Sequence, residues 1–356
     1  MKAKSTLGVL VTAILAGGPA VPADAAGTAW AGAAAAAPHT TASRAAVAHR
    51  GGTRTAGAVV RDVHLPNCGG DYFKPCEGRP WYLFLRDGRW VAFPDAARYA
   101  TEAGGRRADE VEDDPAPFAV SGDGRTIGYV RARDGRVVLR RWPGGKATVL
   151  PAYGKGVGTK YVGLELSADG RRALVDFSAA RKRRPGLVID VASGRTLRTL
   201  PEGDVPRGFS ADGDEVLVTR THSDNTVEVV AHGLDGSSVA DTPPQVVVGA
   251  GTSLALETDG RTVVALLEAD ADRKQPEQVR RYDLRAHAWT GPARPVKPGR
   301  GASDLSWRPG GRLELTRREE DADRGFSDTW VHSLDVSTGA LRKLDRYRIT
   351  DDGPKR

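Results

Sequence analysis

The stretch Phe118-Ala-Val-Ser-Gly-Asp-Gly-Arg-Thr-Ile-Gly-Tyr-Val130 sets an apolar strand, an Asp-Gly turn and a second apolar strand side by side. Branched and aromatic residues suit a pleated, half-buried surface, and Gly supplies the backbone freedom that a tight reversal needs. The pattern returns at Ser167-Ala-Asp-Gly-Arg171, Ser210-Ala-Asp-Gly-Asp214 and Glu257-Thr-Asp-Gly-Arg261, and in degraded form at Trp307-Arg-Pro-Gly-Gly-Arg312. Asp123, Asp169, Asp212 and Asp259 stand 46, 43 and 47 residues apart, and Gly310 follows by 51. That spacing is the size of one four-stranded propeller blade. The pairs Asp123-Gly124, Asp169-Gly170, Asp212-Gly213 and Asp259-Gly260 are read as structural turns, each Asp accepting backbone N–H bonds where the chain reverses.

A second landmark follows in phase, reading apolar-Asp-apolar-x-x-Gly. Its copies are Val188-Ile-Asp-Val-Ala-Ser-Gly194 and Ser333-Leu-Asp-Val-Ser-Thr-Gly339, with Arg281-Tyr-Asp-Leu-Arg-Ala286 a copy without the Gly. It falls where the third and fourth strands of a blade meet, and short strands at 195–200 and 340–344 come after it. The fold class expected is all-β, a β-propeller of six four-stranded blades, with five or seven as the alternatives. A single propeller domain spans 58–350. Five repeats are legible; the segment 58–113, with a hairpin at Trp81–Phe93 around Asp87-Gly88, supplies a sixth blade or strands that close the ring with the C-terminus.

Over residues 118–346 the two landmarks resemble the WD40-like (PD40) propeller repeat of TolB-type proteins, whose turn reads Ser-Pro-Asp-Gly-Lys/Arg and whose third strand ends Asp-x-x-x-Gly. Gly122, Ala168, Ala211 and Thr258 stand where that repeat has Pro. The resemblance implies a propeller and carries little about function, since the repeat's residues build blades. TolB proteins carry an α/β domain ahead of the propeller, and residues 26–57 are too short and too poor in apolar side chains to be one, so the translocation role is not carried over. Peptidases with a similar repeat use it as a lid over a hydrolase domain with a Gly-x-Ser-x-Gly elbow. The nearest string here, Gly208-Phe-Ser-Ala-Asp212, lacks the second Gly.

The N-terminus has Lys2 and Lys4, an apolar run over 7–16 and small residues at 23–25, the pattern of a secretory signal peptide over residues 1–25. Its run is too short to span a bilayer, so a released, extracytoplasmic protein without a stable membrane anchor is expected. Residues 26–57, rich in Ala, Gly and Thr, read as a flexible leader that cannot bury enough apolar surface to offset ordering entropy. Two cysteines, Cys68 and Cys76, in an exported chain are expected to form a disulfide.

Charge argues against one class of partner. The formal net charge of +7 falls to +6 without the signal peptide's Lys2, Lys4 and Asp24, and the Arg residues are scattered over turns, so no nucleic acid is expected. The one basic cluster, Arg181–Pro185, reads as a hairpin loop. The seven histidines never fall into a helical zinc spacing, and no cofactor or metal residue is assigned. Gly154–Lys160 lacks the spacing of a phosphate loop and runs into a strand. Trp142, Trp289, Trp307 and Trp330 suit either a sugar or choline pocket or packing between sheets.

No catalytic or ligand-binding residue is assigned. The function expected is a secreted, non-enzymatic binding or protein-interaction module, a monomer whose partner is a protein or cell-envelope component. The alternative is a secreted propeller enzyme, lactonase- or lyase-like, with its site in the central channel. Titratable groups converging at one mouth would favour the enzyme; an apolar or aromatic patch would favour binding. N-terminal sequencing of exported protein should begin near Ala26; recovery of uncleaved Met1 in the membrane fraction would show an anchored protein instead.

Overall fold

The structure, a computed structural model, describes residues 58–68, 74–102, 114–151, 158–177, 184–244, 247–248, 252–269, 275–299, 301–321, 325–350 and 353–354. The expected signal peptide, the leader, most of the 181–185 cluster and most of the 154–160 string lie outside these residues. Within them the chain is all-β, and its six sheets form a six-bladed propeller. The first sheet is β1 (Val60–His64), β2 (Trp81–Leu85) and β3 (Trp90–Phe93). The second is β4 (Phe118–Val120), β5 (Thr126–Val130), β6 (Val137–Arg141) and β7 (Ala147–Val149); the third is β8 (Gly163–Leu166), β9 (Arg172–Asp176), β10 (Leu187–Asp190) and β11 (Thr196–Thr199). The fourth is β12 (Val205–Phe209), β13 (Glu215–Thr221), β14 (Val227–Gly233) and β15 (Ser238–Asp241). The fifth is β16 (Ser253–Leu256), β17 (Thr262–Leu267), β18 (Gln278–Asp283) and β19 (Ala288–Pro295), and the sixth is β20 (Ala302–Arg308), β21 (Arg312–Asp321), β22 (Phe326–Asp335) and β23 (Ala340–Thr350).

In every sheet the strands lie in chain order. First strands of neighbouring blades lie against one another, β1 on β4, β4 on β8, β12 on β16 and β16 on β20, so they ring the axis. Fourth strands such as β7, β11 and β15 are mostly exposed and form the outer edge. The 81–93 hairpin is therefore the second and third strands of the first blade. Beyond β3 the chain crosses to its neighbours through the isolated bridges Ala96–Arg131 and Tyr99–Pro115, which leaves that blade with three strands.

The repeated turn joins the first two strands and also locks blade to blade. At Ser167 the hydroxyl donates to Asp169 Oδ1 at 2.8 Å and accepts the Arg172 N–H at 3.0 Å, while Asp169 Oδ1 takes the Arg171 N–H. Ser121 and Ser210 repeat the set. In the fourth copy, where Glu257 replaces Ser, the Thr262 hydroxyl donates to Asp259 Oδ2 instead. Gly170 has φ +66°, and a Cβ there would fall 2.3 Å from Thr126 Oγ1, the hydroxyl that donates to the Gly170 carbonyl from the preceding blade. Gly124 backs onto β1 in the same way, its carbonyl accepting the Val60 N–H.

These contacts explain the missing prolines. The Ala211 N–H donates to Leu256 O of the next blade, a bond Pro lacks the hydrogen to make. A Cβ on Gly122 would lie 2.9 Å from Trp307 O and 3.0 Å from Ala168 Cα, so no larger residue fits. In the second landmark Asp190 and Asp335 accept the N–H groups of Ser193 and Ser337, and Gly194 and Gly339 take positive φ. The copy without Gly places His287 there, at φ 55°.

Apolar side chains cover five of the six blade interfaces well. Trp81, Phe93, Phe118 and Tyr129 pack between the first two blades, and Leu139, Leu164, Val175 and Ile189 between the next two. The interface that closes the ring, between the sixth blade and the first, holds Phe84, Trp90 and Ile349 as its buried apolar cluster among the described residues, with Tyr82 and Tyr347 packed against it. There the extended end of β23 reaches over the first blade. Arg61, the extra residue of a bulge in β1, pairs with Asp345 at 2.7 Å and lies over the Phe84 and Tyr347 rings. Buried Asp62 accepts Tyr347 OH at 2.9 Å and faces Arg318 Nη2 at 3.3 Å. The Cys68–Cys76 disulfide holds the β1–β2 loop, which replaces the short turn of the other blades. Arg79 Nη2 in that loop's exit donates to Pro354 O at 2.7 Å.

Asp62→Ala should cost on the order of 2–4 kcal/mol, because it leaves a buried guanidinium and a phenol without their acceptor. Urea unfolding checks this against Arg89→Ala in an exposed turn pair, which should change stability by less than about 0.5 kcal/mol. Equal losses would mean that Asp62 does not hold the seam.

Candidate functional site

The inner strands carry charged residues that their alternation cannot bury in a blade interface. In β8, Leu164 and Leu166 enter the core between the second and third blades. Glu165, between them, points the other way, towards β12. Its carboxylate accepts the Phe209 N–H, and a Cβ on Gly208 would lie 3.1 Å from Glu165 Oε1, so Gly208 leaves it room. Burial pushes its pKa up to about 7, helped by Asp304 on the opposite, sixth blade and by Asp176 at the end of β9. That an aspartate of the opposing blade acts on it places both carboxyls at the axis.

Arg207 lies on β12, the inner strand of the next blade. Val205 and Pro206 pair with Thr219 and Val218, and Gly208 resumes with Leu217, so Arg207 is the extra residue of a bulge. Its Nε donates to Thr219 Oγ1 at 3.0 Å, and burial lowers its pKa. Among the described residues no carboxylate pairs with it. On the fifth blade, Ser253 Oγ donates to Asp304 Oδ1 at 3.3 Å and accepts the Leu305 N–H at 2.9 Å, which fixes the aspartate.

At the turn-bearing end the axis is crowded. Arg308 Nη1 reaches Gly122 O at 2.9 Å across the first blade, where Trp307 O and the Ala168 backbone also meet the Gly122 turn.

The residues singled out in the sequence lie elsewhere. The Asp and Gly of the four turns sit in the loops between first and second strands, hydrogen-bonded as described, and Cys68 and Cys76 are joined in the β1–β2 loop. Of the tryptophans, Trp142 packs on the core between the first and second blades, Trp289 between the fourth and fifth, and Trp307 between the fifth and sixth. Trp330 lies under the Arg346 guanidinium at 5.3 Å. None of them forms an aromatic patch at the channel. The histidine with the most ordered surroundings is His232: Nε2 meets Asp204 Oδ2 at 2.8 Å, and Nδ1 meets Ser238 Oγ at 2.9 Å. Arg198, which also bonds the Gly233 and Ser237 carbonyls, presses on the same Nδ1, so this trio joins the third and fourth blades. No group of three or more His, Cys, Asp or Glu among the described residues is placed to hold a metal ion.

No family model and no curated protein matches the sequence. Solved structures with a similar fold include a TolB-assigned protein from Agrobacterium tumefaciens at 15% identity, covering 68% of this chain and 86% of the other, with a TM-score of 0.41. TolB from Acinetobacter baumannii matches at 15% identity over 84% and 66%, with a TM-score of 0.45. An acylaminoacyl peptidase from Pyrococcus horikoshii matches at 13% over 81% and 46%, with a TM-score of 0.42. The chain is thus similar to TolB propellers and to a propeller of an enzyme, and the site has to be read from its own residues.

Between the ordinary Glu value of about 4.5 and about 7, folded protein keeps a proton on Glu165 that the unfolded chain has lost. This preference for the folded state is complete below that window and disappears as pH rises through it. Wild type should therefore lose on the order of 1–3 kcal/mol relative to Glu165→Gln across the window. Urea midpoints measured over that range test it; parallel curves for the two proteins would show that Glu165 titrates normally.

Proposed function

We propose that this chain is an exported, non-enzymatic binding module whose ligand enters the central channel along the inner strands of the third to sixth blades. The observation that carries this reading is the uncompensated charge on those strands. A carboxyl held near 7 and a guanidinium with no carboxylate partner are expensive in an enclosed site, and a ligand that answers them lowers that cost. In β8 the apolar interface is made by Leu164 and Leu166, on either side of Glu165. The ligand is a protein or cell-envelope component, met outside the cytoplasm; the Cys68–Cys76 disulfide suits an oxidising compartment.

One observation favours the enzyme reading. Titratable groups, and not an aromatic patch, stand at the axis, and a carboxyl near 7 suits a general acid or base. Among the described residues no oriented second group of the kind such chemistry needs bonds Glu165: Ser253 is bonded to Asp304 and to a backbone N–H, and no histidine is hydrogen-bonded to the carboxyl. A lactonase- or lyase-like activity would appear as turnover of a lactone panel with a rate that titrates near 7 and vanishes in Glu165→Gln.

A photo-crosslinking residue at Val205, on the inner strand β12, should capture one partner from the native envelope, and the same residue at exposed Leu197 on β11 should not. Capture from Leu197 alone would place the binding surface on the outer edge and end the channel reading.

A further inference from the structure

We infer that Arg207 is the recognition residue for an anionic oxygen group, a carboxylate or a phosphate, carried by the ligand that enters the channel. The inference rests on the channel reading above. Three features of the structure support it. The first is placement: the bulge in β12 inserts Arg207 into the innermost strand of the fourth blade, and a bulge re-aims the side chain it adds. Gly208, at φ +129°, continues that distortion next to the arginine.

The second is orientation. Nε is bonded to Thr219 Oγ1, itself buried on β13 and facing Val205 O. With Nε fixed, the plane of the guanidinium is set, while Nη1 and Nη2 have no protein acceptor among the described residues. Neither atom is among the buried nitrogens left without a partner. A planar fork with two open nitrogens matches two oxygens of one carboxylate or phosphate, and a single fixed nitrogen keeps ordering entropy low on binding.

The third is the absence of an internal counter-charge. Several enclosed arginines among the described residues have a carboxylate partner, Arg317 with Glu277, Arg131 with Asp134, Arg220 with Asp204 and Glu228, and Arg308 with Glu314, while Arg198 meets carbonyl oxygens and Arg280 lies over the Trp289 ring. Arg207 is perturbed by burial alone, without a neighbouring carboxylate. A guanidinium so placed weakens the ligand-free fold, and replacing it by an apolar side chain of similar length is neutral or stabilising when its role is external to the fold. This gives the residue a signature that a structural arginine does not have.

The test uses the mature protein and two simple probes, inorganic phosphate and succinate, each compared with sodium chloride at equal ionic strength. Thermal unfolding and calorimetric titration are followed in wild type, Arg207→Met and Arg207→Lys. One or both anions should stabilise wild type saturably at millimolar concentration, and the arm that responds names the oxygen group. Arg207→Met should lose at least about tenfold in affinity while its ligand-free melting temperature equals or exceeds that of wild type. Arg207→Lys, which keeps charge without the fork, should bind several-fold more weakly than wild type. The inference fails if neither anion acts beyond chloride, if Arg207→Met still responds, or if both variants melt well below wild type. Partner capture from Val205 is scored separately: capture that persists in Arg207→Met removes this inference and leaves the channel reading, and capture from Leu197 alone removes the channel reading.

Discussion

The closing of the ring is the constraint on which the rest of this propeller depends. A blade presents two faces, and each must be covered by a neighbour; a ring that fails to close exposes the outer faces of its first and last sheets. Propellers commonly close by building one sheet from strands of both chain ends, but here every sheet is made of consecutive strands. Hydrogen bonds between strands therefore contribute nothing to the seam. Its apolar core is also the smallest of the six. What remains is directional: Asp62 receiving a phenol and a guanidinium, Arg61 held between Asp345 and two rings, and the chain end laid against the disulfide loop. Sub-Å placement matters for such contacts more than for apolar ones. The extra length of β22 and β23, and the bulges at Arg61 and near Leu344 that bring Arg61 to Asp345, supply it.

Three of the five well-packed interfaces, between the first and second, second and third, and fourth and fifth blades, are also bonded through the repeated turn. Its Asp and Ser satisfy the reversal within a blade, while its Gly carbonyl or its x-position N–H bonds the neighbouring blade. One motif thus sets both strand pairing and blade spacing. Gly170 shows the coupling: the positive φ required by the turn is also what brings its backbone against Thr126, with no space for a side chain.

That double duty is why so much of the fold was legible in the sequence. Turn chemistry is local, so Asp123-Gly124 and its copies announce themselves within five residues, and their period gives the blade. The first blade was legible only in its 81–93 hairpin, and whether it stood as a whole blade was left open, since a disulfide loop takes the place of its first turn and its strands carry no period. His287 was unreadable as the partner of Gly194 and Gly339, because nothing local marks a histidine that adopts positive φ. The channel was hidden for a different reason. Gly163-Leu-Glu-Leu166 does contain a signal, a charged residue in an apolar strand, but its meaning depends on Asp304 from the opposite blade and on a bulge that no local pattern encodes.

The division between legible and hidden residues follows the division of physical roles. Turn and core residues stabilise the fold, and each agrees with its local surroundings. Glu165 and Arg207 conflict with theirs: a carboxyl enclosed until its proton stays on near pH 7, and a guanidinium enclosed without a counter-charge. The two do not relieve one another, for Arg207 is absent from the groups that move Glu165, although their strands are neighbours. An enclosed acid and an enclosed base that decline to pair are held apart by the scaffold, through Phe209 and Gly208 on one side and Thr219 on the other. Charges kept separate at a cost to stability are available to a ligand that can answer them.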